Sequence, residues 1–437
     1  MKKKLFDLFK KEEPNDENFD DGGKFEEIVK RLSQYFTTEP EKERVLKFED
    51  FDAAGDTYYA VVSARYKVCQ RIAVAALVCF MLVSIIFNIQ NVTYDNFFYL
   101  IKDFGAAAQS DAPSYETLNY DASTMQSFAL YRGGLAVTSR ANVSVFTSTG
   151  RRTLNNNVAY SDPHAVASDK YLLVYDMGKG GFEIFNSFAK VFSESTEYPI
   201  SDAVFSDSGK FAILTRSEKH ESQIIVYNGD FKKLSSYSRG LYAIDISLDK
   251  EGNRLGALYL GTTNGVATTY VVFYDLRTHE KTHEYVYEGE FPLAASFRDD
   301  GGFSIVTDSS VIMLNRRLTQ EYVSASHREK SVAAVFCDGE YTAVALNNGV
   351  ITDINEITVY DKNGNVIYTE TLDTGVLEIC ASDGYVFIKN RDGAARVRMK
   401  DSFVETLKCS DGRMILYNHK TLLVCSQSKA VYLEFGK

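Results

Sequence analysis

Tryptophan is absent from this chain of 437 residues, and proline, histidine and cysteine are scarce, with six residues of each. So few prolines leave no room for a stiff, Pro-rich linker of any length. Phenylalanine and tyrosine are abundant by contrast, with 29 and 28 residues. Aromatic side chains favour the pleated, half-buried surfaces of strands, and the composition therefore favours a β-rich protein.

The cysteines share neither a CxxC spacing nor a histidine at ligand spacing, which leaves a metal site without support. They are Cys69, Cys79, Cys337, Cys380, Cys409 and Cys425. Disulfides are the alternative if the compartment is oxidising. Cys337 and Cys380, however, fall at matching points of successive repeats, which would place them too far apart to bond. We therefore expect buried free thiols that act as small apolar residues.

Sequence motifs for catalysis are missing as well. The chain has no G-x-S-x-G elbow, H-E-x-x-H motif, Walker loop or G-x-G-x-x-G fingerprint. His279 and His283 are four residues apart, but they lie in a predicted hairpin rather than on a helix. A formal net charge of -11 argues against a general nucleic-acid binder. We predict no catalytic, cofactor-binding or metal-binding residues, no cofactor and no nucleic-acid partner.

One apolar run stands out in the N-terminal part of the chain. Residues 72–89 contain no charged residue, and a helix of that length spans roughly 27 Å, close to the ~30 Å hydrocarbon core of a bilayer. We predict a transmembrane helix over residues 72–90, in contact with lipid. It would act as a signal anchor, because it begins too far from the N-terminus for a cleavable signal peptide. A buried core helix is the alternative.

The charges that flank this run predict its orientation. Three basic residues precede it from Arg65 to Arg71, whereas the first basic residue after it is Lys102. Positive charge marks the cytoplasmic side, so the N-terminus is predicted to be cytoplasmic and the C-terminal domain extracytoplasmic.

The predicted segments around the anchor differ in character. Residues 1–71 form a cytoplasmic tail, in which residues 24–36 carry an apolar stripe at helical spacing that could contact a cytoplasmic partner. Residues 91–113 form a juxtamembrane segment. The remaining residues, 114–437, form one extracytoplasmic domain.

A repeated unit punctuates this last domain. Tight Asp/Gly turns recur at Gly209, Gly252, Gly301, Gly339 and Gly384, with spacings of 43, 49, 38 and 45 residues. Such a period is typical of a four-stranded propeller blade. Aspartate and glycine recur because the turns need a positive φ or a hydrogen bond from side chain to backbone.

We predict an all-β domain, a β-propeller of about eight four-stranded blades, with seven as the alternative. Its units begin near Met125, Pro163, Ile200, Leu241, Pro292, Ser331 and Val376, and a last partial unit has three strands from residue 413 to residue 435. Residues 115–121 are placed to supply the missing fourth strand. This exchange would close the ring and pair the exposed edges.

The stretch FSDSGKFAIL at residues 205–214 resembles the turn and strand of WD40-like and quinoprotein-like propellers. Together with the apolar run and the stretch YDNFFYLIKDFG at residues 94–105, the chain resembles an uncharacterised family of membrane-anchored propeller proteins of Gram-positive bacteria. The resemblance implies a fold and no chemistry. The chain lacks the tryptophan docking motif of quinoproteins and the Gly-His and Trp-Asp signature of WD40 repeats, and the first departure argues against a quinone cofactor.

The loops that join second to third strands share one face of a propeller with the connections between blades, and propellers commonly bind ligands there. The longest of these loops are predicted at residues 217–222, 261–268 and 347–355. The candidate ligand contacts on this face are Lys179, His220, Asn264, Asn348 and Asp353. Ordinary solvated loops are the alternative.

These features predict a non-catalytic, membrane-anchored binding or scaffold protein whose propeller engages a protein or a cell-wall polymer. One alternative is a transmembrane sensor that couples the propeller to a cytoplasmic partner of residues 24–36. Another is a propeller-type hydrolase or lyase. That function needs carboxylates or histidines clustered at the channel, whereas the histidines of this chain are scattered.

Overall fold

The computed structural model describes residues 56–87, 116–324, 327–347, 354–409 and 411–436. The chain divides into two compact units, residues 1–94 and 95–437. The predicted stripe at residues 24–36 and the juxtamembrane segment at residues 91–113 lie outside the described residues.

The first unit contains one described helix, α1, Asp56–Phe87. It begins sixteen residues before the predicted span, since residues 56–87 contain neither glycine nor proline. The side chains described in it, at residues 66–81, are exposed and include Ile72, Leu77 and Phe80. Within the described ranges, no helix combines the length and apolarity needed to cross a membrane. The spanning helix over residues 72–90 therefore stays a prediction.

The first described strand of the second unit is β1 (Thr117–Asn119), and hairpins follow it. Each of the first four blades is a sheet of four consecutive antiparallel strands. Blade 1 has β2 (Gln126–Tyr131), β3 (Gly134–Ser139), β4 (Asn142–Phe146) and β5 (Arg152–Asn157); blade 2 has β6 (Pro163–Ala167), β7 (Leu172–Asp176), β8 (Gly181–Phe185) and β9 (Lys190–Ser195); blade 3 has β10 (Asp202–Phe205), β11 (Phe211–Thr215), β12 (Ser222–Tyr227) and β13 (Lys233–Arg239); blade 4 has β14 (Tyr242–Leu248), β15 (Arg254–Thr263), β16 (Val266–Asp275) and β17 (Glu280–Glu288).

The next three blades repeat this order, and the last sheet combines the two ends of the domain. Blade 5 has β18 (Pro292–Phe297), β19 (Phe303–Thr307), β20 (Val311–Leu314) and β21 (Gln320–Val323); blade 6 has β22 (Ser331–Cys337), β23 (Thr342–Asn347), β24 (Asn355–Tyr360) and β25 (Val366–Leu372); blade 7 has β26 (Glu378–Ser382), β27 (Tyr385–Lys389), β28 (Ala394–Arg398) and β29 (Phe403–Leu407); blade 8 has β30 (Arg413–Leu416), β31 (Thr421–Cys425) and β32 (Lys429–Glu434), completed by β1. The predicted propeller of eight four-stranded blades is confirmed.

Burial within each blade follows the position of the strand. Second strands such as β7 and β11 are buried at every position, whereas the outer strand β9 is exposed at nearly every position. A strand covered on both faces needs apolar residues throughout, which explains the continuous runs Leu172–Tyr175 and Phe211–Leu214. First strands of successive blades, such as β14 and β18, lie next to each other and surround the central channel.

The hydrophobic core is divided among the interfaces between blades. Eight clusters of buried side chains occur in the described part of the chain, one between each pair of neighbouring blades around the whole ring. Cys380 and Cys425 belong to two of them as free thiols, and burial raises the pKa of both. Both thiols are therefore protonated at neutral pH and pack as small apolar groups.

The predicted exchange of a strand between the ends of the domain is confirmed. Strand β1 pairs antiparallel with β32, from Thr117 opposite Val431 to Asn119 opposite Lys429. Just beyond β1, the Tyr120 hydroxyl donates a 2.6 Å hydrogen bond to the Ser426 carbonyl oxygen. The first strand of the domain thus completes its last blade.

The two faces of the ring are built from different connections. We call the face with the second-to-third-strand loops and the blade-to-blade connections the upper face, and the opposite face, with the remaining turns, the lower face. On the lower face, the first-to-second-strand turns of all neighbouring blades are joined by polar contacts. These are Tyr417 Oη to Gly133 O (2.8 Å), Arg132 Nε to Asp169 O (2.8 Å), Lys170 Nζ to Ser208 O (3.4 Å), Lys210 Nζ to Gly252 O (2.8 Å), Lys250 Nζ to Asp299 Oδ1 (2.8 Å), Asp299 N to Gly339 O (2.7 Å), Gly384 N to Tyr341 Oη (3.2 Å) and His419 Nδ1 to Asp383 Oδ2 (3.5 Å).

Most glycines of these turns have the predicted positive φ, for example Gly209 at 89° and Gly301 at 81°. Gly339 is an exception. A Cβ at this position would lie 2.1 Å from Asp299 Oδ1 of the neighbouring blade. Glycine is needed at residue 339 because of this close approach between blades.

Candidate functional site

The upper face carries three of the predicted ligand contacts. Lys179 lies in the second-to-third-strand loop of blade 2, where its Nζ is 3.6 Å from Asp176 Oδ2 and its side chain is 60% exposed. His220 lies in the matching loop of blade 3 and is exposed, and its carbonyl oxygen accepts a hydrogen bond from Ser217 N. Asn264 lies in the loop of blade 4. The three residues belong to three successive blades, and no hydrogen bond or ion pair joins any two of them.

The loop predicted at residues 261–268 is not a loop. Strands β15 and β16 continue through it, and only Asn264 and Gly265 remain between them, with φ of 52° and 80°. Positive φ at both positions is typical of a type I′ hairpin turn, for which Asn-Gly is the preferred sequence. The Asn264-Gly265 pair was therefore the sequence signal for a long hairpin formed by β15 and β16.

A cavity of about 350 Å³ opens on the upper face between blades 6 and 7. Its lining is mainly polar and comes from Ala333, Asn347, Asn355, the connection at residues 373–377, and the loop at residues 390–392. The volume lies within the range of small-ligand pockets. Asn347 and Asn355 end the loop predicted at residues 347–355, whereas Asn348 and Asp353 lie outside the described residues.

Two asparagines hold the walls of this cavity in place. The buried Asn355 accepts a 2.5 Å hydrogen bond from Val376 N, which fixes the blade-to-blade connection. Asn390 accepts hydrogen bonds from Asp392 N (3.0 Å) and Gly393 N (2.9 Å), and its amide donates to Thr374 Oγ1 (3.5 Å). Both walls are therefore built from side-chain to backbone bonds, as in Asx turns.

The cavity rim presents both signs of charge. Asp373, Arg391 and Asp392 are exposed there, and none of them forms an ion pair with another described residue. These side chains offer carboxylate acceptors next to a guanidinium with five donors. The sequence did not indicate residues 373–377 and 390–392, because each is an ordinary turn. The cavity arises only where the connection of blade 6 meets the loop of blade 7.

A second polar feature lies on the channel-lining strands of blades 3 and 4. Asp202 accepts hydrogen bonds from Ala203 N (2.8 Å) and from the Tyr175 hydroxyl (3.4 Å). Asp245 follows a bulge in β14 and accepts a 2.8 Å hydrogen bond from Ala295 N of blade 5. Burial raises the pKa of Asp202 to about 6 and that of Asp245 to about 7, and the charge of Asp202 adds to the second shift. Sequence alone did not indicate either residue.

These carboxylates predict a pH-dependent stability. The pKa of Asp245 is higher in the folded protein than its ordinary value of 3.8, so the folded state binds this proton more tightly. Its contribution to stability is fully present below about pH 4 and is lost as the pH rises through about 7. Asp245→Asn keeps an acceptor for Ala295 N and removes the titration. We expect the variant to be more stable than wild type at pH 8 by on the order of 2 kcal/mol, and to gain little at pH 4, in urea unfolding.

Asp207→Asn is the control for this experiment, because Asp207 is exposed on a lower-face turn. Its unfolding free energy should follow that of wild type at both pH values. Equal stabilities of Asp245→Asn and wild type at pH 8 would contradict the assignment.

The described residues hold no cluster of metal ligands. Nowhere among them do three His, Cys, Asp or Glu side chains come close enough to hold a metal ion. The features that remain on the upper face are a polar cavity, mixed charges and exposed loops. Such a face is suited to recognition of a ligand or partner.

The fold and this loop-built face define the chain as a β-propeller, an architecture common among protein-interaction scaffolds. It belongs to a family of unknown function, DUF5711, whose sequence model matches residues 110–428. No curated protein matches the sequence significantly.

Solved structures are similar in fold. Sqt1 from Saccharomyces cerevisiae has a TM-score of 0.55 at 11% identity, covering 75% of this chain and 100% of that chain. BamB from Moraxella catarrhalis has a TM-score of 0.51 at 13% identity, covering 74% and 98%. A eukaryotic initiation factor has a TM-score of 0.50 at 12% identity, covering 72% and 83%. At these identities the likeness concerns the fold alone.

Proposed function

We propose that this protein is a non-catalytic, membrane-anchored binding platform whose propeller engages a protein partner through its upper face. The observation that carries the proposal is the polar cavity between blades 6 and 7. Its rim combines a guanidinium with two carboxylates, and its walls are held by Asn355 and Asn390. A rim of donors and acceptors on a fixed wall suits the polar groups of a peptide segment.

The structural difference between the two faces supports the same proposal. Contacts between neighbouring turns join every pair of blades on the lower face. On the upper face, the connections between blades bond to the second-to-third-strand loops, as Phe291 N does to Asp308 Oδ1 (2.8 Å). These loops nevertheless vary in length, from two residues in blade 4 (264–265) to six in blade 3 (216–221). Rigid scaffolds with variable loops are a common way to build a binding surface.

Membrane anchoring is the second part of the proposal. The described side chains of α1 are exposed, among them Ile72 at 64% and Phe80 at 72%. Exposed apolar side chains at this density need a cover. We propose that the bilayer covers them, with the N-terminus cytoplasmic and the propeller extracytoplasmic, as the basic residues before residue 72 favour.

The test is site-specific photocrosslinking of the full-length protein in native membranes. A photoreactive residue at Thr374, which lines the cavity, should crosslink to a protein partner, whereas one at Asn363 on the lower face should not give this product. Arg391→Glu changes the rim by two charges and should abolish crosslinking from residue 374. Lys420→Glu makes the same charge change at an exposed position of the opposite face and should leave it intact.

Crosslinking that is equal from both faces, or insensitive to Arg391→Glu, would contradict the upper-face platform. A product with polymer instead of protein would replace the partner class by a cell-wall polymer. The anchor is tested separately by alkaline extraction. The pair Leu77→Arg and Val78→Arg should release the protein from the membrane pellet, and retention of this variant would contradict anchoring through α1.

A further inference from the structure

The third-to-fourth-strand turns of the lower face share one feature. In each of the seven blades with such a turn, the turn or the first residue of the next strand carries an exposed basic side chain. These residues are Arg151, Lys190, Lys232, Arg277, Arg316, Lys362 and Lys400, and three more lie directly beside them, Arg152, Lys233 and Arg317. All ten are exposed. The pattern contrasts with the net charge of -11 of the whole chain.

Most acidic residues of the lower face lie in its first-to-second-strand turns, nearer the channel, among them Asp169, Asp207 and Asp383. We call the outer set of basic residues the basic perimeter. The third-to-fourth-strand turns hold four carboxylates, Asp230, Glu280, Asp361 and Asp401. Asp361 is already engaged by Asn363 N and Asn365 N, each at 2.8 Å. The basic perimeter therefore keeps a clear excess of positive charge.

Most of the basic perimeter is also unpaired. Three of its members have an acidic partner: Arg152 with Asp121 (3.8 Å), Lys190 with Glu183 (3.0 Å) and Arg277 with Asp275 (3.1 Å). The other seven form no ion pair with a residue that the structure describes. Structural salt bridges thus do not account for their positions.

The topology places these side chains around the rim of one face. Strands alternate in direction within each blade, so all third-to-fourth-strand turns lie on the lower face. First strands surround the channel, and these turns therefore lie on the outer half of each blade. A ring of charges spread over seven blades matches an extended anionic surface better than a compact ligand, which could reach only one or two turns.

We infer that the lower face docks on the anionic phospholipid headgroups of a membrane. The same chain carries the exposed apolar surface of α1, and 29 residues separate Phe87 from Thr117. Even fully extended, such a stretch reaches roughly 100 Å, which keeps the propeller near any bilayer that holds the helix. Basic residues at an anionic membrane surface attract it over about one Debye length. Docking of this face would turn the upper face and its cavity away from the membrane.

The absence of tryptophan gives a clean optical test with the full-length protein. Phe403→Trp places one tryptophan next to the turn of blade 7, and Leu377→Trp places one on the upper face; both native side chains are exposed, at 53% and 47%. Each variant is reconstituted into vesicles that contain a dansyl-labelled lipid, made of phosphatidylcholine alone or mixed with phosphatidylglycerol. Energy transfer from tryptophan to dansyl reports the approach of each face to the bilayer.

We expect transfer from residue 403 to rise when phosphatidylglycerol is added and to be lost at high salt, while transfer from residue 377 stays low. Arg316→Glu, Lys362→Glu and Lys400→Glu combined in the Phe403→Trp protein should abolish the rise. The matched control, Arg140→Glu, Lys219→Glu and Lys408→Glu, makes the same charge change on the upper face and should preserve it.

Equal transfer from both tryptophans, or transfer that does not respond to lipid charge, would overturn the inference. So would a rise that survives the lower-face charge reversal. Binding of inorganic polyphosphate tests whether the phosphate groups that this face recognises belong to a soluble polyanion instead of lipid headgroups. If polyphosphate binds the protein but anionic vesicles produce no rise at residue 403, the basic perimeter recognises a soluble polyanion and lipid docking is wrong. Vesicle flotation separately reports whether α1 holds the protein in the bilayer.

Discussion

Replacing Leu118 by aspartate is expected to open the propeller ring and lower the free energy of unfolding by about 3–5 kcal/mol. Leu118 is the central residue of β1, the strand that completes blade 8, and is 5% exposed. Its side chain packs in the cluster between blades 8 and 1 with Leu135 and Leu423. The substitution leaves a void and puts a carboxylate where the described neighbours are apolar.

The measurement is equilibrium unfolding in urea, followed by far-ultraviolet circular dichroism. Asn119→Asp is the matched control, because it introduces the same charge one residue later at an exposed position of the same strand. It should change the free energy by no more than about 0.5 kcal/mol. Similar midpoints for the two variants would show that β1 does not hold the ring closed.

The success of the sequence in predicting this closure has a local cause. Each blade is a run of hairpins, and hairpin turns are encoded by a few adjacent residues such as Ser208-Gly209 or Asp383-Gly384. Counting these turns gave the number of blades, and the last unit was visibly one strand short. Residues 115–121 lie directly before the first full unit, and this position indicated which segment could supply the missing strand.

The parts that sequence analysis missed depend on contacts between blades. The cavity forms where residues 373–377 of one connection meet Asn390 of the next blade, and no local pattern records that meeting. Asp245 has a raised pKa because a bulge in β14 buries it against Ala295 of blade 5. From the sequence, it is one aspartate among many.

The basic perimeter was missed for a different reason. Each of its residues lies in an unremarkable turn, where a single lysine or arginine is common. The pattern becomes visible only when the strands are aligned by blade, which places residues such as Arg151, Lys232 and Lys400 at equivalent positions. The register of the structure was therefore needed before the charges could be compared.

Arg396 joins the last two blades, and its removal should have the second-largest effect. The side chain lies in β28 and is 7% exposed. Its guanidinium donates to Glu405 Oε2 through Nε (3.0 Å) and Nη2, and to the His419 carbonyl oxygen of blade 8 through Nη1 (3.0 Å). It also lies over the ring of Phe435, 5.1 Å from its centroid.

Arg396→Ala should lower the free energy of unfolding by about 3 kcal/mol, because it removes these bonds and leaves Glu405 without its partner. Arg398→Ala is the matched control, two residues along the same strand. Its ion pair with Asp401 is comparable in length, at 2.9 Å, but both side chains are more than 40% exposed. Exposed pairs contribute little, so we expect a change within about 0.5 kcal/mol.

The double variant Arg396→Ala, Glu405→Ala separates two sources of this loss. If the isolated carboxylate causes most of it, the double variant should recover part of the stability in urea unfolding. If the bond to His419 and the packing on Phe435 dominate, the double variant should be no more stable than Arg396→Ala. Equal effects of Arg396→Ala and Arg398→Ala would contradict a role for Arg396 in joining the blades. Both residues form an ion pair within their own blade, and we expect different effects because Arg396 also bonds to blade 8.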